Sequence, residues 1–350
     1  MRTAMIVLSC LLLTLSCTAQ KPIQINSLHL DPDHVLLVAD SAVAAQTLLL
    51  DKTDHFFDLV TASEMSIQMK QPLAEGQTRA DLLPAFQDYL RRDVESFTPE
   101  ESVMVAGVLQ EVFNACQAVT KGLFPDTLIL IKTKAKHYGR SVYYTRENTI
   151  VIPIDALDPA MKKQFTSTMY HELFHVYSRQ HPEKRTLLYR LIGFEHLGLE
   201  HLNMPDALAA RVLYNPDGVD FAQKINLETE TGETIHAIPV IYANHLGFLP
   251  GKRQFFGYVE FNLYQIEKDA KGGWTVVTQP DGFSSTLNLQ NLPDFFRQIK
   301  DNTGYIIHPD EVLADNFSFL IQGKSDPGIT AKFSDGGKKL LADMEAVLRE

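Results

Sequence analysis

The chain has 350 residues, of which 45% are hydrophobic and 21% charged, a balance that predicts a globular body with ample sequence to bury a core. Its formal charge of -11, its pI near 5.5 and the lack of any basic run exclude nucleic acid and anionic membrane surfaces as partners, since both need clustered Lys and Arg.

Residues 1–19 differ from the rest. Arg2 gives a short positive start, residues 4–15 are apolar, and Ser16, Cys17, Thr18 and Ala19 are small, which together read as a secretory signal. The apolar run is too short to span a bilayer, and no later run reaches the ~18 apolar residues a span needs, so no transmembrane helix is expected in the mature chain. Leu15-Ser16-Cys17 resembles the end of a bacterial lipobox, with Thr14 where that pattern prefers Leu, whereas cleavage after Ala19 fits the ordinary signal-peptidase rule. Both readings make the protein exported, to the periplasm or cell surface, and one adds a lipid anchor to a membrane through Cys17. Of Cys10, Cys17 and Cys116, only Cys116 then remains in the folded body, so no internal disulfide framework is expected.

Residues 27–125 read as an N-terminal helical region. Its best-marked start is Thr98-Pro99-Glu100-Glu101, with Thr as N-cap, Pro at the first helical position and Glu at the third. The helix it opens should run to about residue 121, with Cys116 among its core positions. From residue 126 to 350 the texture changes. Residues 127–132, 141–145 and 149–153 read as strands, the last two as a hairpin. Asp158-Pro159 opens the next helix, which continues to about residue 180 before Pro182. A helical stretch from about residue 185 to 199 follows, then strand signals separated by turns such as Asn215-Pro216-Asp217-Gly218, with residues 255–266 the clearest strand. A helix opens at His308-Pro309 and runs to about residue 321, and another closes the chain over residues 335–349.

The helix after Asp158 carries HELFH at residues 171–175. Residues i and i+4 share one face of a helix, so His171 and His175 can aim both imidazoles at one point with Glu172 beside them. Neutral imidazoles suit Zn2+, and Glu172 would not ligate; it would act as general base toward the attacking water and return the proton to the leaving amine. HELFH is a complete match to the HExxH pattern of the zincin metallopeptidases. Phe165, Met169, Leu173 and Val176 give the helix an apolar stripe, and the preceding strands suit a sheet whose edge pairs with an extended peptide.

Two histidines need a third protein ligand. Glu195 follows with residues 176–194 between it and His175, flanked by Gly193 and Gly198. Glu311, in HPDEVLADNF, stands four residues before Asp315 on a capped helix, so that one carboxylate would bind metal and the other accept the free N–H of a ligating histidine. His196, Glu200, His201 and Asp217 are further candidates. HELFH with a later ExxxD helix resembles the gluzincin group of zinc metallopeptidases. The resemblance implies a metal set of His171, His175 and Glu311, with Asp315 supporting it, and the wide separation of His175 from Glu311 departs from the group. Residues 207–295 would then be a β-rich insertion, serving as a lid or a subsite wall.

The tetrahedral intermediate of peptide hydrolysis also needs an oxyanion stabiliser. In this group it is a Tyr or His, and Tyr305 and His308 are nearest in sequence, with His236 and His245 as alternatives in the insertion. The expectation is an α+β chain with a zincin-like core, formed by a mixed sheet, the HExxH helix and a glutamate helix, that cleaves a peptide or protein substrate with Zn2+. The rival readings are a zinc-containing surface binding protein of the same fold without catalysis, and an ordinary helix that happens to carry two histidines.

Overall fold

The computed structural model describes residues 26–198 and 201–350; the signal segment with Cys10 and Cys17, and Glu200, lie outside the described residues. The described chain is α+β, with two mixed six-stranded sheets and eleven α-helices.

The first sheet contains β1 (Ser27–His29), β2 (Val35–Val38), β3 (Val94–Glu95), β4 (Thr127–Thr133), β5 (Tyr144–Arg146) and β6 (Thr149–Pro153), in the order β1-β2-β4-β6-β5 with β3 paired to the end of β4. Strands β2, β4 and β6 run parallel, and β5 returns antiparallel to β6 as the expected hairpin. β1 and β2 come from the region expected to be helical. The four-residue run Val35-Leu36-Leu37-Val38 is too short to show a period of its own, and its partner β4 arrives about 90 residues later.

Both faces of this sheet are covered, which is why its central strands are nearly all aliphatic. On one face Ile131 and Val151 pack under α1 (Ser41–Thr47), α2 (Phe56–Leu59), α3 (Ala62–Met69) and α4 (Arg79–Asp93). On the other, the alternate residues Leu128, Leu130, Ile150 and Ile152 meet α5 (Pro99–Val119) and α6 (Lys162–Gln180). Thr98 and Glu101 form a reciprocal capping box at the start of α5. By length and composition α5 would pass for a membrane span, yet Val105, Val108, Leu109 and Val112 are fully buried against the sheet, as is Cys116, whose thiol burial pushes up. Asp158 caps a short 3-10 turn, Pro159–Met161, that leads into α6. Phe165, Met169, Leu173, Phe174 and Val176 of α6 are all buried, each contributing about 1.5–3 kcal/mol.

α7 (Pro182–Leu191) is shorter than the helical stretch expected to reach about residue 199. Gly193, at φ +84°, turns the chain, and Phe194–His196 becomes the first strand of the second sheet. That sheet contains β7 (Phe194–His196), β8 (Leu202–Asn203), β9 (Gln223–Glu228), β10 (Thr234–Ala243), β11 (Val259–Lys268) and β12 (Trp274–Val276), ordered β7-β9-β10-β11-β12-β8. The strand expected from residue 255 starts at Val259, because Phe255–Gly257 forms a 3-10 turn. α8 (Asp206–Ala209) follows β8, and α9 (Pro293–Ile299) follows β12. α10 (Pro309–Ser325) then lies along α6, with Phe317 against Phe174 at 5.6 Å between ring centroids and Ser318 Oγ donating to Ser167 O at 3.0 Å. α11 (Asp335–Arg349) packs on α7 and α10.

Candidate metal centre

α6 presents His171 and His175 one turn apart, with ring centroids separated by 4.8 Å. α10 brings Glu311 between them: its Oε2 lies 3.0 Å from His171 Nε2 and 3.4 Å from His175 Nε2. One donor atom from each residue falls within 4.8 Å of the others, and the described residues contain no other such group. Two imidazoles and one carboxylate are a donor set that suits zinc with a position left open. The fit has a local test. His175 Nε2 is buried and makes no hydrogen bond, an arrangement that is costly for a polar atom and that a cation among the three donors would satisfy.

The outward nitrogens are held by carboxylates. His171 Nδ1 donates to Asp315 Oδ1 at 2.9 Å, and His175 Nδ1 donates to Asp310 Oδ2 at 2.6 Å. Asp315 accepts in turn from Thr303 Oγ1, and Asp310 Oδ1 accepts from Ser178 Oγ at 2.6 Å and Tyr189 OH at 2.9 Å. A proton fixed on each Nδ1 turns Nε2 toward the centre. Burial, the largest single influence on His171, disfavours its charge. The hydrogen bonds to Asp315 and Glu311 outweigh it and raise the pKa to about 10. The same histidines hold Glu311 well below the usual carboxylate range against the effect of its burial. A metal entering the group would displace the protons carried on the Nε2 side, so uptake would release them.

Glu172 is 4% exposed and its Oε2 has no hydrogen-bond partner. Burial, and after it the neighbouring carboxylate of Asp217, pushes its carboxyl up to about 8. It faces a cleft of about 330 Å3 that is lined also by Asp155, Asp217, Glu311 and Asp315 and by no lysine or arginine, a field that favours cations. Tyr305 lines the same cleft, 41% exposed, with its ring stacked 6.0 Å from that of His171. His308 does not line it. Its Nδ1 accepts from Asp310 N at 3.2 Å, capping α10, and burial keeps the imidazole neutral.

No protein-family model, curated protein or solved structure matches this chain.

The other sequence candidates fall elsewhere. Glu195 lies on β7, half exposed, where Lys224 and Asn226 both donate to its Oε1. His236 bonds Asn226 Oδ1 at 2.6 Å, His196 Nδ1 accepts from Gly198 N, and His245 bonds Gly247 O at 3.2 Å. His201 pairs its carbonyl with Trp274 N at the edge of the second sheet. Asp217 does approach the centre, but as part of a turn. Asn215 Nδ2 donates to Glu311 Oε1 at 2.6 Å, and Asp217 Oδ1 accepts from Thr145 N and Thr145 Oγ1, both at 2.6 Å. Asn215, Asp310, Ser178 and Tyr189 were not anticipated from the sequence. Asp310 had a faint signal as an acid beside Glu311, though a charge in the first turn of a helix is ordinary.

Proposed function

We propose that the chain is a zinc-dependent metallopeptidase of the gluzincin type, with His171, His175 and Glu311 as the metal ligands. The observation that carries this reading is the convergence of those three donors beside Glu172, whose Oε2 is buried yet unbonded. Zinc, when bound, supplies a Lewis acid that polarises a scissile carbonyl and lowers the pKa of water. Glu172 takes a proton at Oε2 and later hands it to the leaving amine. Asp315 and Asp310 keep the two imidazoles in the tautomer that faces the metal. The Tyr305 hydroxyl is the candidate donor to the developing oxyanion.

Ser141, Val142 and Tyr143, just upstream of β5, line the cleft, and an extended peptide or protein substrate would lie along them. Residues 1–19 place this activity outside the cytoplasm in our reading, free or held by lipid at Cys17. A non-catalytic zinc protein gives no use to an open cleft with an unbonded buried carboxylate oxygen on its wall. Zinc per chain, measured by elemental mass spectrometry without chelators, should be about one. Peptide cleavage by wild type beside Glu172→Gln then tests the base: equal cleavage by both sinks the mechanism.

A further inference from the structure

We infer that the Asn215-Pro216-Asp217-Gly218 turn of the second-sheet segment is part of the metal centre, with Asn215 as the positioning residue that fixes the orientation of the Glu311 carboxylate so that one of its oxygens faces the cation. This rests on the zinc reading above. Glu311 is 2% exposed, and its two oxygens have different tasks. Oε1 accepts from Asn215 Nδ2 at 2.6 Å, while Oε2 points at both Nε2 atoms, 3.0 and 3.4 Å away. With Oε1 held, the carboxylate cannot rotate without leaving a buried acceptor unpaired, so Oε2 alone is offered to a cation.

Asn215 can do this because its turn is clamped from three sides. Within the turn, Asn215 Oδ1 accepts from Asp217 N at 3.2 Å and Gly218 N donates to Asn215 O at 3.1 Å. From α6, one turn beyond His175, buried Arg179 donates to Pro216 O at 3.2 Å and to Thr145 Oγ1 at 2.9 Å, and Thr145 in turn holds Asp217. From α10, the capping ring of His308 lies so close to Gly218 that a Cβ there would come within 2.3 Å of His308 Cε1, so only glycine fits. The helix that carries the histidines and the helix that carries the glutamate therefore both grip the turn that orients the glutamate. The second-sheet segment is thus a structural contributor to the centre, beyond any service as a lid.

The test is a Zn2+ affinity measurement by chelator competition, together with the d–d absorption bands of the Co2+-loaded protein, on the full chain. Asn215→Ala removes the donor; Asn215→Leu removes it at similar side-chain volume should the truncation unfold the turn. Both should bind Zn2+ about 10-fold or more weakly and shift the Co2+ bands, with the metal-free protein still showing a cooperative melting transition. Gly218→Ala, which leaves the Asn215 side chain intact but pushes the turn off His308, should act in the same direction. Wild-type affinity and unchanged Co2+ bands in Asn215→Ala and Asn215→Leu would overturn the inference while leaving the zinc reading intact. Failure of the wild type itself to bind Zn2+ or Co2+ would overturn both.

Discussion

The two glutamates that follow the histidine pair sit in regions built on opposite plans. Glu195 belongs to the second sheet, half in solvent and neutralised by Lys224 on the neighbouring strand, so its charge needs no further partner. Glu311 belongs to α10, buried, with two histidines against one oxygen and Asn215 on the other, and no lysine or arginine beside it. The glutamate nearer in sequence is the one whose electrostatic demands are already met. A buried carboxylate needs compensation, and here the compensating groups are side chains that could themselves hold a metal.

The sharpest way to break that contrast is to delete each glutamate in turn. Glu311→Ala should abolish both zinc retention and peptide cleavage, while Glu195→Ala should leave zinc per chain unchanged; the reverse pattern in elemental analysis would move the third ligand to the second sheet. Next in size is Glu172→Gln, which should keep its zinc and lose about 10²- to 10⁴-fold in kcat, as measured on a peptide that wild type cleaves. Asp310→Ala, which frees His175 Nδ1 and leaves the Ser178 and Tyr189 hydroxyls without their acceptor, should weaken Zn2+ binding by about 10- to 100-fold in chelator competition.

The smallest expected effect concerns the joint between the two regions. Glu64 of α3 is fully buried and accepts from Tyr214 N, next to Asn215, and burial foremost raises its carboxyl to about 8 from an ordinary 4.5. A raised pKa in the folded state means that the stabilisation is complete below pH 4.5 and is lost as pH rises through 8. Glu64→Gln keeps an acceptor there without the charge. Its melting temperature relative to wild type should therefore climb steadily across that window, and a pH-independent difference would show that the Glu64 carboxyl keeps its ordinary pKa in the folded state.

What the sequence disclosed follows the same division. In α6 and α10 the helical repeat converts spacing directly into geometry, so His171 and His175 could be placed on one face of the first helix and Glu311 and Asp315 on one face of the second. The meeting of the two faces was expected only from the resemblance, with Glu195 still a rival ligand. Tertiary pairing has no such ruler. β1 and β2 were hidden because their partner lies far along the chain, and β7 was hidden because the helical stretch before it carried no stop signal except Gly193. Asn215-Pro216-Asp217-Gly218 was legible as a turn and remains one, but its bonds to Glu311 and Thr145 depend on where two helices and an edge strand bring it. His308 was legible as a helix start, and that same role keeps it from the cleft.

His171 and Glu311 touch across 140 positions of sequence, and the glutamate helix is the penultimate one of the described chain. Synthesis runs from the N-terminus, so the histidines are made and their helix can form while the third ligand is still untranslated. A nascent or truncated chain that stops short of α10 has a half-built centre with little hold on metal. The hydrolytic function we propose consequently waits on α10, and capability would appear in one step when that helix docks on α6.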